Sequence, residues 1–184
     1  MYNCPDYGCD PLGTYVLNEC SEILLGGFDQ ALFLECNHQI TDPSNATQIQ
    51  NALNDGTATL VSGASFSIEP PTAVKVDTLV ACQPQRIVTY NRTGVYRNQN
   101  VNPTNIDFHA PIERGRTFGG LIIRMCSETD SGTGYVYWID ATVNMEGGLI
   151  GPPNNTELQR FEFTMNWIAK NGPSMHAEPA GIFE

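Results

Sequence analysis

Phe161-Glu162-Phe163-Thr164-Met165-Asn166-Trp167 is the stretch of this chain that decides its fold class. The odd-numbered positions in it are apolar and the even-numbered positions are polar. Side chains along a β-strand point alternately to the two faces of a sheet. The alternation therefore predicts a strand with one buried face and one face in water.

Other short runs of apolar and β-branched residues, separated by turn residues, bring the expected total to about nine strands. One is Ala31–Cys36, a compact apolar run that we expect to be a buried strand. Another is the β-branched and aromatic run Ile87–Tyr90. Many short strands with little helix predict a mostly β protein, an antiparallel β-sandwich or barrel.

One short helix is expected, at about residues 46–54. Ile49, Ala52 and Leu53 follow helical spacing and form a single apolar stripe. Asp55-Gly56 then ends the pattern, with glycine at the position after a helix where the backbone commonly adopts the left-handed conformation.

A long polar segment, residues 91–116, is predicted to be a loop, and a loop of that length in a compact domain is usually functional or disordered. It carries Arg92, Arg97, Arg114 and Arg116 in an Asn-rich setting. These arginines could belong to a solvated loop. They could equally form a docking arm that meets carboxylates of a neighbouring subunit, since the guanidinium fork pairs well with carboxylates.

The 184 residues fit one domain. We expect a turn-rich N-terminal arm over 1–12, a single β domain over 13–171 and an extended C-terminal tail over 172–184. The chain starts without a basic and apolar leader, and it holds no apolar run near the ~18 residues of a membrane-spanning helix. We therefore expect synthesis in a cytoplasm and no membrane partner.

The formal net charge is -11, from nine basic and twenty acidic residues. A negative surface repels phosphate, which disfavours specific binding of nucleic acid. The charge is uneven: residues 86–124 carry +4, whereas the segments before and after them carry -9 and -6. A basic middle between acidic flanks could be satisfied within one fold, or it could equally let a loop of one subunit dock on the acidic face of the next.

Six cysteines leave two chemical alternatives open near the N-terminus. Cys4, Cys9 and Cys20, with either Cys36 or His38, supply four ligands of the types that zinc prefers. Cys4 and Cys9 could instead form a disulfide in an oxidising environment. The spacing is wider than in tight zinc motifs, so we expect neither a metal nor another cofactor.

No catalytic residues are expected. Asp130-Ser131-Gly132-Thr133 matches the core tetrapeptide of aspartic proteases, which need two such aspartates. The same residues are also common in the turns of β-hairpins, and we prefer that interpretation. The histidines are scattered, without the spacing of a metallohydrolase.

This layout resembles that of a tail tube protein of tailed bacteriophages. The resemblance implies a β-sandwich with a flanking helix at 46–54, a long loop at 91–116 that reaches the next ring, and a closing strand at 157–168. It implies rings that stack into a tube with an acidic lumen, through which DNA passes as non-specific cargo. The partners would be copies of the chain and other virion proteins. The location would be the virion, after synthesis in the host cytoplasm.

Two alternative functions remain open on the sequence. One is a capsid decoration or head–tail connector protein, which also binds a symmetric lattice. The other is a carbohydrate-binding β-sandwich, whose sugar-stacking candidates are Tyr7, Tyr90, Tyr96, Tyr135, Tyr137, Trp138 and Trp167. A dimeric aspartic protease acting through Asp130 is a third possibility that we disfavour.

Overall fold

The computed structural model describes residues 30–76, 86–125, 134–151 and 159–183. The described chain forms two antiparallel sheets and two helices. The sheets pack face to face without closing into a barrel. The predicted mostly β fold is confirmed, in its sandwich form.

Sheet A has five strands, and its middle strand, β7 (Gly120–Met125), pairs with β8 (Tyr135–Ile139) on one side and with β1 (Gln30–Leu34) on the other. Leu32 of β1 lies opposite Leu60 on one side and Ile122 on the other. In spatial order the strands are β11 (Ser174–Ala177), β8 (Tyr135–Ile139), β7 (Gly120–Met125), β1 (Gln30–Leu34) and β2 (Ala58–Ser62).

Sheet B is built around the pairing of its two longest strands, in which Phe163 lies opposite Tyr96. In spatial order the strands are β3 (Ala64–Ile68), β5 (Arg86–Asn98), β10 (Arg160–Ala169), β9 (Val143–Ile150) and β6 (Thr117–Phe118). The remaining strand, β4 (Thr72–Val76), pairs with β5 on the same side as β3. The helices are α1 (Ala46–Asn54) and α2 (Pro103–Glu113).

The main core lies between the two sheets and follows the alternation of β10. Phe161, Phe163, Met165 and Trp167 are buried, whereas Thr164 is exposed. The strand predicted over 161–167 is confirmed, and β10 runs from Arg160 to Ala169, whereas the closing strand was expected over 157–168; residues 157 and 158 lie outside the described residues. Edge-to-face contacts of aromatic rings fill the centre of this core, so its packing is directional as well as apolar.

A second core lies on the opposite face of sheet A, under α1. Ile49 and Ala52 are buried there against Leu32 and Leu34. The predicted helix over 46–54 is confirmed, and its apolar stripe is the face that packs on the sheet. The described chain therefore stacks α1, sheet A and sheet B as three layers.

Asn45 caps α1, and its replacement by alanine should weaken the fold measurably. Its Oδ1 accepts hydrogen bonds from the backbone N–H groups of Thr47 at 3.1 Å and Gln48 at 3.2 Å. Asn45→Ala leaves both donors without this acceptor, so we expect the free energy of unfolding to fall by about 1 kcal/mol in urea denaturation. Asn45→Asp retains the acceptor and serves as the control. An equal loss in both variants would contradict the capping role.

The prediction of a loop over residues 91–116 is wrong. Residues 91–98 continue β5, and α2 follows at Pro103–Glu113. The strand was hidden because its inward positions include Gly94, where a Cβ atom would approach the backbone oxygen of Ser67 to 2.5 Å. The helix has a side-chain cap from Asn102 and starts with proline, which is favourable in the first turn.

The extended tail predicted over 172–184 is also corrected. β11 pairs with β8 at the edge of sheet A, and Ile182 and Phe183 are buried in the second core. Arg124 holds this segment, since its Nη1 donates to the backbone oxygen of Phe183 at 3.0 Å and its Nε pairs with Glu178 at 3.1 Å. Apolar burial at the end of the segment outweighs the turn-forming residues before it. The arm predicted over 1–12 lies outside the described residues.

Candidate assembly surface and end cleft

Arg97, one of the four predicted contact residues, lies on the outer face of sheet B in a pair within the chain. Its Nε donates to Glu162 Oε2 at 2.8 Å, and Arg160 Nε donates to the same oxygen at 3.0 Å. The hydrogen bonds from Arg97 and then Arg160 hold the pKa of Glu162 below its usual value. Arg97 remains well exposed, so a neighbouring molecule can still reach it.

The prediction that Arg116 contacts a neighbouring subunit is corrected, because its side chain is inside the protein. Its Nη2 donates to both carboxylate oxygens of Glu35, at 2.6 and 2.5 Å, and both side chains are almost fully buried. The pair forms because β1 ends beside the residue that joins β6 to β7: the N–H of Gly119 donates to the oxygen of Leu34 at 2.8 Å. A neighbouring subunit cannot reach this guanidinium.

The other two predicted arginines lie at separate places. Arg114 is exposed at the C-terminal cap of α2. Arg92 is half-buried and lines a cleft at one end of the sandwich. The four arginines therefore do not form a single arm, and only Arg97 and Arg114 are well exposed.

A two-stranded ribbon leaves one edge of β5 without a described strand partner. We define it as β4 together with residues 86–89 of β5, which pair across the ribbon. β10 reaches along β5 only as far as Tyr90, which lies opposite Ala169. On the side away from β4, no described strand pairs with residues 86–89, so the ribbon extends past the end of β10.

Two neighbouring apolar side chains of the ribbon are in solvent. Ile87 is 47% exposed and Val88 is 51% exposed. The register shifts between Val74 and Lys75, and this bulge leaves Val88 without a directly opposed residue. An open strand edge with exposed apolar residues is a template for pairing with another chain. The sequence predicted a strand at Ile87–Tyr90, but the exposure depends on where β10 ends.

The cleft at the end of the sandwich has a volume of about 1710 Å³ and is open to solvent. We call it the end cleft. Its walls are the connections at 36–39, 140–142 and 170–173, and strands β5 and β10 contribute to its lining. Loops clustered at the end of two rigid sheets are a common place for binding groups.

His38 and Asp140 both line the end cleft. Burial lowers the pKa of His38, and the negative charge of Asp140 and a backbone hydrogen bond with Gly119 oppose that shift. His38 is therefore neutral at neutral pH. Its Nδ1 accepts from the N–H of Ile40 at 3.3 Å, which fixes the ring orientation.

The zinc hypothesis is not tested, because Cys4, Cys9 and Cys20 lie outside the described residues. Cys36 lies beside Thr117, with its Sγ 3.9 Å from the backbone oxygen. Within the described ranges, no three side chains of the metal-ligating types are grouped together. Asp130 also lies in a part of the chain that is not described.

The candidate sugar-stacking aromatics are dispersed. Tyr96 has no accessible surface and belongs to the main core, and Trp167 is largely buried in the same core but also contributes to the lining of the end cleft. Tyr135 is exposed on β8, and Trp138 lines the end cleft. Tyr7 is not among the described residues.

His109 is buried in the main core and takes part in a polar network. Its Nδ1 lies 2.6 Å from the backbone oxygen of Asn105, which can only accept, so Nδ1 donates and Nε2 accepts from the Tyr96 hydroxyl at 2.8 Å. The ring stacks on Phe161 with centroids 3.9 Å apart. Burial lowers the pKa of His109 to about 4, although the hydrogen bond to Asn105 opposes the shift. With no accessible surface, His109 stabilises the fold and meets no substrate.

No family model, curated protein or solved structure matches this chain. In the described part of the chain, neither helix has the length and apolarity to cross a membrane.

Proposed function

We propose that this chain is a non-enzymatic structural protein that assembles with copies of itself. The observation that carries the proposal is the β4–β5 ribbon, which combines an open strand edge with exposed Ile87 and Val88. A two-stranded ribbon is marginally stable in water unless something packs on it. A second copy of the chain would supply that packing.

The specific form that we propose is a virion protein of a tailed bacteriophage, with copies forming rings that stack into a tail tube. A contact between the ribbon of one copy and a different surface of the next is head-to-tail, and such contacts close into rings or continue as filaments. The net charge of -11 suits a tube through which DNA passes, since phosphate is repelled. Its other partners would be further virion proteins, and its location would be the virion.

Substituting lysine for Ile87 or Val88 should abolish assembly without unfolding the protein. Each lysine places a charge on the ribbon surface that must lose water when copies pack together. We expect rings or tubes of the wild type by negative-stain electron microscopy at rising concentration. The variants should remain small in light scattering coupled to size-exclusion chromatography.

Ile106→Lys is the matched control for these variants. Ile106 is also an exposed isoleucine, at 41%, but it lies on α2, away from the ribbon. Circular dichroism should show the same strand content in all variants. Wild-type protein that stays as small particles at every concentration would exclude self-assembly, and equal disruption by Ile106→Lys would exclude the ribbon as its cause.

Two alternatives predict different results in the same experiment. A capsid decoration or connector protein would stay small alone and bind only to a preformed lattice. A carbohydrate-binding protein is favoured by one observation, namely that Trp138 lines an open cleft rich in amide and hydroxyl groups. It would stay small and gain thermal stability on addition of a sugar.

A further inference from the structure

We infer that the end cleft binds a carboxylate group and that Arg92 is the residue that binds it. This inference does not depend on self-assembly. It rests on the position of Arg92, on a buried donor of its side chain, and on the charges that line the same cleft.

Arg92 is held at the cleft by the elements around it. It lies opposite Trp167 in the pairing of β5 with β10, at the end where the main core meets solvent. Its guanidinium carbon is 5.4 Å from the centroid of the Tyr90 ring. On the connection after β10, a Cβ atom built at Gly172 would lie 3.5 Å from Arg92 Nη1, so the backbone there approaches the guanidinium closely. The side chain is thus placed by packing, and no carboxylate of the described residues pairs with it.

The Nε atom of Arg92 is buried and has no hydrogen-bond partner in the described structure. Arg97, Arg116, Arg124 and Arg160 all pair with a carboxylate of the described chain, whereas Arg92 does not. A donor without an acceptor at a buried position is unfavourable, and an acceptor that enters the cleft removes the penalty.

A carboxylate is the chemical group that best matches this donor. A guanidinium presents its N–H groups in a planar fork, which suits the two oxygens of a carboxylate. Lys170 lines the same cleft and adds a second positive charge. Asp140 on the wall formed by the β8–β9 connection opposes further negative charge, and His38 beside it is neutral. The cleft is therefore suited to a ligand with one carboxylate and otherwise uncharged polar groups, such as a uronic acid.

The test is the Nε–H resonance of Arg92 in ¹⁵N-labelled wild-type protein at low concentration. We expect sodium glucuronate to shift this resonance in a saturable manner, whereas sodium chloride at the same ionic strength leaves it in place. A second arm raises the concentration of the protein without added acid. A shift there, removed by Ile87→Lys, would identify the carboxylate as one supplied by a neighbouring copy and would also support carboxylate binding.

Two variants separate binding from packing, with protection against thermal unfolding by glucuronate as the readout. Arg92→Lys keeps the positive charge but loses Nε and the planar fork, so we expect glucuronate to bind at least about tenfold more weakly. Arg160→Lys is the control, because Arg160 already has a carboxylate partner, and its response should equal that of the wild type. The inference is overturned if the Arg92 resonance moves in neither arm, if chloride moves it equally, or if both variants lose the response to the same extent.

Discussion

Replacing Glu35 with glutamine should lower the free energy of unfolding by about 3–5 kcal/mol. The substitution removes the charge that balances Arg116, whose guanidinium is buried and contacts both oxygens of Glu35. Two of its other nitrogen atoms, Nε and Nη1, already lack a hydrogen-bond partner in the described structure, so they cannot compensate. For a chain of this length we expect the melting temperature to fall by roughly 10 °C, as measured by calorimetry.

Glu162→Gln provides the matched control, since it removes a carboxylate that pairs with two arginines at the surface. Exposed pairs contribute about 0–1 kcal/mol, so this loss should be much smaller. The double replacement of Glu35 and Arg116 by methionine should recover most of the stability, because neither charge then remains buried. Similar losses from Glu35→Gln and Glu162→Gln would show that burial does not set the cost of breaking the pair.

The second large effect is a loss of stability in mild acid caused by His109. Its pKa is about 4 in the folded protein and near 6.5 when unfolded, so the unfolded state binds more protons between these values. The stability that the neutral His109 contributes is therefore fully present above pH 6.5. It declines as the pH falls towards 4 and changes little below that. Its full size is about 3 kcal/mol, at about 1.4 kcal/mol for each pKa unit.

Urea denaturation at a series of pH values measures this contribution. His109→Gln removes the titrating group while keeping a donor and an acceptor, so its stability should fall less than that of the wild type between pH 6.5 and 4, and the slope that remains comes from other groups with a lowered pKa, such as His38. It should be less stable than the wild type at pH 7, because the stacking on Phe161 is lost. A wild-type slope equal to that of the variant would exclude His109 as the source of the acid sensitivity.

The sequence predicted those elements whose burial follows one simple period. β10 shows it most clearly, because its inward side chains are all apolar and four of them, Phe161, Phe163, Met165 and Trp167, are large. α1 was equally predictable from the sequence, since Ile49 and Ala52 form an apolar stripe that ends at Asp55-Gly56. β5 and α2 could not be predicted in this way, because the inward side of β5 carries Arg92, Gly94 and Asn98. Their burial is favourable only beside Ser67, Trp167 and the network around His109, and no local pattern shows such contacts.

The candidate surfaces were harder to predict from the sequence than the fold was. Four arginines in one polar segment look alike in sequence, yet Arg116 is buried because Glu35, 81 positions away, meets it. The exposure of Ile87 and Val88 depends on β10 ending opposite Tyr90. One local signal was present, namely two adjacent apolar residues in a strand, which cannot both face the same core.

The continuity of β5 determines how the protein would carry mechanical load. The strand has 13 residues, which corresponds to a length of roughly 43 Å, and it runs from the ribbon into the centre of sheet B. Antiparallel hydrogen bonds are perpendicular to the strands, so tension along β5 shears all its bonds to β10 together and does not peel them apart one at a time. A pull on the ribbon is therefore shared across the full pairing of two central strands, which would make the ribbon a stiff point of attachment in the proposed assembly.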